Sequence, residues 1–222
     1  MNTVADTLVL ARRGLLRIPR QPDLLIGFTI QPVMFVLLFV YVFGGAIRTP
    51  GYDYVDFLMP GIITQSISFG GFVTALGLAD DLRKGLIDRF RSLPMSRAAV
   101  LAGRTLADLV TNTFSLIVLT TVGVIVGFSF HNSVPEVLAG FGLMLLFGYA
   151  FSWVFACIGL SVSSPEAANA LGFTAIFPLT FASSAFVPVD SMPGWLQAFA
   201  EHNPFTITVD AMRALWRARS LF

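Results

Sequence analysis

Apolar runs separated by short polar breaks dominate the chain. Between Leu24 and Ile47 no charged residue occurs. As a helix this run extends about 36 Å at 1.5 Å per residue, enough for a hydrocarbon core of about 30 Å. Similar runs predict further spans near 57–79, 107–130, 137–161 and 169–189. The breaks carry turn chemistry: "RTPGYDYVD" joins Pro50 and Gly51 to interfacial tyrosines, and "HNSVPE" and "SSPEAAN" separate the later runs. The pattern predicts an all-α polytopic membrane protein with five spans. The first run is too long for a signal-peptide core of about 7–15 residues, so it reads as a retained span.

Two segments outside the spans are amphipathic. At the N-terminus Leu8, Ala11, Leu15 and Ile18 follow helical spacing, with Arg13, Arg17 and Arg20 on another face. That pattern predicts a basic helix in the headgroup region, ended by Pro19 and Pro22. It divides the chain into residues 1–22 and a single membrane domain over 23–222. The second segment, "ADDLRKGLIDRFRSLPMSR" from Ala79 to Arg97, lies between spans two and three and holds eight charged residues. Leu82, Leu86, Phe90 and Leu93 predict one apolar stripe on a short helix stopped by Pro94. Asp80, Lys84 and Asp88 supply i,i+4 pairs around it. Such a helix either closes a loop at the lipid surface or docks in the groove of a cytoplasmic partner. A lipid-surface helix carries a one-sided basic face, so the mixed signs here favour a protein partner.

Composition strengthens the membrane assignment. Hydrophobic residues make up 55% and charged residues 12% of the 222 residues, against about 25% charge in a soluble domain. The net charge of +1 and the scatter of basic residues along membrane edges give no nucleic-acid footprint. The placement of Lys and Arg predicts topology. Arg12, Arg13, Arg17 and Arg20 precede the first span, and Arg83, Lys84, Arg89, Arg91, Arg97 and Arg104 follow the second. Only Arg48, Arg213, Arg217 and Arg219 fall on the other side, so the N-terminus and the 80–93 helix are predicted cytoplasmic.

Catalytic chemistry finds little support. Lys84 is the only lysine and precedes no Ser or Thr in a phosphate-loop pattern, so no Walker-type ATP site exists. His131 and His202 stand 71 positions apart, Cys157 is the single cysteine, and no G-x-S-x-G elbow occurs. No metal site is expected. Charge in the spans is scarce, with Asp108 placed near an interface, which counts against proton-coupled transport. Gln31, Gln65, Ser68 and Asn112 are the polar candidates for a translocation path, and each could equally bond between helices. The 22 phenylalanines fit lipid contact and helix packing better than drug stacking.

Two motifs carry a resemblance. "GLIDRFRSLPMSRAAVLAGR" (85–104) resembles the cytoplasmic loop of type-2 ABC exporter transmembrane permeases, most closely the daunorubicin/doxorubicin-resistance type. "MPGWLQAFAEHNPFTITVDAMRALW" (192–216) resembles their extracellular segment, with Trp195, Asn203, Pro204, Asp210 and Arg213 at the positions of the tryptophan, the "NP" and the "D-x-x-R". The resemblance implies an N-terminal elbow helix and a coupling helix. The latter docks a separate ATPase through Leu82, Leu86, Phe90 and Leu93, with Arg83, Lys84, Asp88, Arg89 and Arg91 on the rim. It further implies a second permease copy, no cofactor on this chain, and ATP-Mg on the partner subunit. Residues 190–204 could then form a lid at the exit, or an interfacial loop anchored by Trp195. The family normally has six spans; this chain shows five, so the last is expected to be missing and the membrane domain incomplete at its C-terminus. The function implied is efflux of hydrophobic or amphiphilic molecules. A non-transporting assembly protein and an ATP-independent channel or carrier are the rivals.

Overall fold

The computed structural model describes residues 3–17, 22–45, 53–86 and 97–216. Its helices are α1 (Thr3–Arg17), α2 (Pro22–Leu38), α3 (Tyr54–Arg83), α4 (Arg97–Val126), α5 (Val134–Ser161), α6 (Pro165–Phe181), α7 (Gly194–Glu201) and α8 (Pro204–Trp216). Among the described residues there is no strand. Three helices among the described residues are long and apolar enough to cross a membrane: Tyr54–Arg83, Ala99–Val126 and Val134–Ser161. α2 continues as a π-helical turn from Phe39 to Phe43.

Local sequence sets several of these boundaries. α5 opens on Ser133-Val134-Pro135-Glu136, where the Ser133 N–H and hydroxyl both donate to the Glu136 carboxylate, at 3.0 and 2.8 Å. That is one arm of a capping box. α6 opens on Ser164, whose hydroxyl accepts the Ala167 N–H, with Pro165 in the first helical position.

Two helix limits differ from the spacing-based expectation. The fifth span, predicted to reach residue 189, leaves helical geometry after Phe181. Here the Ser184 N–H bonds the Thr206 hydroxyl instead of a helix carbonyl, and the Ser183 hydroxyl donates to the Thr180 carbonyl. Non-helical backbone is tolerated at such depth when protein groups satisfy it, and Ser183 to Phe186 are all buried. α4 starts at Arg97, where the sequence places Ser96 to cap a helix leading into the third span, and so extends the 107–130 run backwards through Arg104 and Asp108.

The chain divides into two compact units. The first holds residues 1–27, 68–114 and 148–176. Its apolar centre is Phe72, Ala75, Phe155 and Ile176, with Phe69, Leu76, Phe151 and Ile158 against it. α1 lies on α4, where Gly103 and Gly14 permit close approach. A Cβ at Gly103 would stand 2.7 Å from the Leu10 Cβ, and one at Gly14 3.0 Å from the Ala107 Cβ.

The second unit holds residues 28–67, 115–147 and 177–222. Its core runs along α3 through Leu58, Met59, Ile62, Ile63 and Ile67, all fully buried, together with Leu116, Leu119, Met144, Met212 and Trp216. A helix segment buried all round needs apolar residues all round, which explains why α3 shows no simple apolar stripe. The Trp216 indole is packed by Phe128, Phe130 and Phe141 at centroid distances of 5.7, 5.2 and 5.1 Å, and its N–H donates to the Val137 carbonyl.

Candidate functional site

In the second unit, the segment from Pro188 to Trp216 builds two short helices joined at Asn203. A single 3-10 turn at Val189–Ser191 leads into α7, whose Trp195 and Phe199 are exposed one turn apart while Ala200 is buried. An exposed Trp on a short amphipathic helix suits a membrane interface. Asn203 then turns the chain. Its side-chain oxygen accepts the Phe205 N–H at 2.9 Å, capping α8, and Pro204 takes the first helical position. The Asn203 amide donates to the Leu179 and Ala182 carbonyls at 2.7 and 2.8 Å. One buried side chain thus caps α8 and satisfies the carbonyls left free at the end of α6.

Asp210 and Arg213 stand one turn further on. The Arg213 guanidinium is nearly buried and lies 3.7 Å above the centroid of the Phe57 ring. It donates twice to the Phe57 carbonyl (3.1 and 2.8 Å), to the Ser184 carbonyl (2.8 Å), to the Ser184 hydroxyl (3.1 Å) and to Asp210 (2.8 Å). The Ser184 hydroxyl in turn donates to Asp210 at 2.8 Å. A planar fork of donors fits this task, whereas a point charge does not. The arrangement binds α8, the start of α3 and the end of α6 into one node. The family resemblance pointed to Asn203, Pro204, Asp210 and Arg213 but not to Ser184 and Phe57, because backbone carbonyl partners leave no mark in a residue pattern.

The predicted docking helix is corrected in part. Helix α3 runs on through Arg83, so Leu82, Arg83 and Lys84 belong to its last turn and just beyond. Gly85, at φ +67°, then reverses the chain, with its N–H on the Leu82 carbonyl. A left-handed residue closes a helix and suits glycine, so Leu82 and Leu86 do not share one continuous apolar stripe. The backbone is helical again at Leu86. Asp88, Arg89, Phe90, Arg91 and Leu93 lie outside the described residues. The expected i,i+4 pair of Asp80 and Lys84 is formed, and Arg83 also reaches Glu166 of α6 at 3.9 Å.

Gln31 is exposed on α2 and Gln65 is buried on α3, both in the second unit; Ser68 and Asn112 are buried in the first. Asn112 faces Gly70, where any Cβ would collide with its amide. One turn away on α4, Asp108 is drawn inward rather than to an interface. It accepts bonds from the Thr74 and Ser152 hydroxyls, and Arg104 stands 4.0 Å from it. The signal available in the sequence was the i,i+4 pair Arg104–Asp108 inside an apolar-periodic run. Among the described residues no group of three or more metal-binding side chains comes together.

The chain matches the ABC-2 type transporter family over residues 5–216. It is 32% identical to the "Daunorubicin resistance ABC transporter permease protein DrrB1" of Streptomyces coeruleorubidus, over 100% of this chain and 78% of that protein. It is 26% identical to the "Probable doxorubicin resistance ABC transporter permease protein DrrC" of Mycobacterium tuberculosis, over 95% of this chain and 76% of that one. The chain belongs to the ABC-2 type transporter family, as a multi-pass membrane permease subunit of an ABC exporter.

Proposed function

We propose that this permease moves hydrophobic or amphiphilic molecules, drug-like or lipid-like, out of the cell across the plasma (inner) membrane. The carrying observation is the likeness to a daunorubicin resistance permease along the whole of this chain. The N-terminus and the segment after α3 face the cytoplasm, where basic residues concentrate. Membership of the family implies a partner ABC ATPase. It docks on the segment running from Leu82 past Gly85 to Leu93, with Arg83, Lys84, Asp88, Arg89 and Arg91 at the rim. The break at Gly85 supports this reading, since it takes Leu86 off the axis of α3. α1 serves as the elbow helix.

Two copies pair in the membrane. Of the four path candidates, exposed Gln31 suits a path between copies, while Gln65, Ser68 and Asn112 are buried within one copy and line a path only after the helices move. On the opposite face α7 acts as the exit lid, anchored by Trp195 and hinged on the node of Asn203, Pro204, Asp210 and Arg213.

Docking is tested by co-purification with the partner ATPase. Leu86→Asp and Phe90→Asp place a charge in the apolar contact and are expected to lower ATPase recovery at equal membrane levels of permease. Unchanged recovery with both variants overturns the docking assignment. A chain that binds the ATPase normally but exports nothing instead fits the assembly-protein rival.

A further inference from the structure

The first unit contains an ionic cluster for which the docking and lid assignments have no use. Asp108 is held by hydroxyls from two other helices, Thr74 of α3 and Ser152 of α5. Arg104, one turn back on α4, stands 4.0 Å from the carboxylate and donates to the Val73 carbonyl of α3 at 3.2 Å. Gly77 makes room for that guanidinium: a Cβ there would sit 2.7 Å from the Arg104 Cζ. The opposite face of the same two turns, Gly103 and Ala107, lies against α1. Residues 103–108 therefore tie α4 to three other helices.

Burying a carboxylate and a guanidinium in a membrane helix is costly, and apolar residues of similar volume often hold helices together as well or better. What directional bonds add is register. Apolar side chains let helices slide and rotate past one another, whereas hydrogen bonds from Thr74, Ser152 and Arg104 fix the rotation of α4 against α3 and α5. The cluster's position suits that role. Thr74 lies about 14 Å of helix before the end of α3, and Arg104 about 10 Å of helix after the start of α4. It thus stands close to both attachments of the 84–96 segment.

We propose that Asp108 is a positioning residue for coupling: it makes α3, α4 and α5 move as one body when the segment between α3 and α4 is displaced. This rests on the reading of that segment as the ATPase dock. With Asp108 neutralised, the ATPase still binds and turns over, but its motion is lost as slippage between helices instead of reaching the transport path.

The test is ATP hydrolysis and export of daunorubicin measured together in proteoliposomes of the full permease–ATPase complex. Asp108→Asn is expected to keep permease level, ATPase recovery and hydrolysis near wild type while export per ATP falls about tenfold, the scale of a typical coupling free energy. Arg104→Gln/Asp108→Asn removes the uncompensated charge and is expected to recover part of that loss. Thr74→Val, which deletes one tie without touching charge, is expected to lower export per ATP by a smaller factor. Thr105→Val serves as control, since the Thr105 hydroxyl bonds only carbonyls of its own helix, those of Leu101 and Ala102. An unchanged export-to-hydrolysis ratio in both Asp108→Asn and Thr74→Val overturns the proposal, as does loss of export that tracks loss of membrane protein in every variant. A wild-type complex without ATP-dependent export overturns the exporter reading first and this proposal with it, and differs from the other failures in needing no variant.

Discussion

Arg213 is the residue on which the second unit turns. It donates hydrogen bonds to Phe57, Ser184 and Asp210 and makes a ring contact while nearly buried. Removing such a group takes its donors from the buried carbonyls of Phe57 and Ser184, while Asp210, half exposed, keeps the Ser184 hydroxyl. Arg213→Ala should therefore cost about 1–3 kcal/mol, the range for leaving buried polar groups unsatisfied. Arg213→Lys tests the geometry separately: it keeps the charge but cannot serve Phe57, Ser184 and Asp210 at once. Thermal unfolding in detergent should rank the proteins wild type, Lys, Ala. Equal melting of wild type and Arg213→Lys would show that the charge alone matters. The sequence named Asp210 and Arg213 through a motif, and it also named Asn203, but it gave neither Ser184 nor Phe57. Three of the hydrogen bonds from Arg213 go to backbone carbonyls, which every residue carries and no pattern distinguishes. Asp108 shows the reverse case. Its hydroxyl partners Thr74 and Ser152 are 34 and 44 positions away, and only the packing of three helices brings them together.

At the scale of elements, the apolar runs were legible because a helix in lipid must be continuous and apolar over its length. Their limits were less so. The spacing of the charged segment after the second run predicts one separate helix, whereas its first residues form the end of α3. Asp80 and Lys84 keep their pairing either way, so charge spacing alone did not reveal the break. Gly85 does, through its positive φ. Gly85→Ala should cost about 1–2 kcal/mol, the penalty of a left-handed backbone for a residue with a Cβ. Where the helix extends to relieve that strain, it redirects Leu86 and should weaken ATPase recovery more than stability. Pull-down and unfolding measured on the same preparation separate the two effects, and a variant indistinguishable from wild type in both would remove the turn from the docking account. The early end of α6 has a similar origin. Thr206 and Asn203 on the neighbouring helix supply what the helix would otherwise supply to itself, a substitution that no local window contains.

At the scale of the molecule, the sequence read as a machine part. It carries no Walker-type phosphate site, yet one densely charged segment stands on its basic side. The family match makes that combination intelligible, because the family implies a partner ABC ATPase subunit. The central claim is that ATP hydrolysis on a docked partner drives export through this permease. Inside-out membrane vesicles containing the permease and its ATPase test it most directly, with daunorubicin accumulation followed by fluorescence. ATP-dependent accumulation should appear with the wild-type permease and fall to background with a non-hydrolysable ATP analogue or with Leu86→Asp. Accumulation that proceeds equally without ATP, or no accumulation with ATPase bound and hydrolysing, would contradict the account.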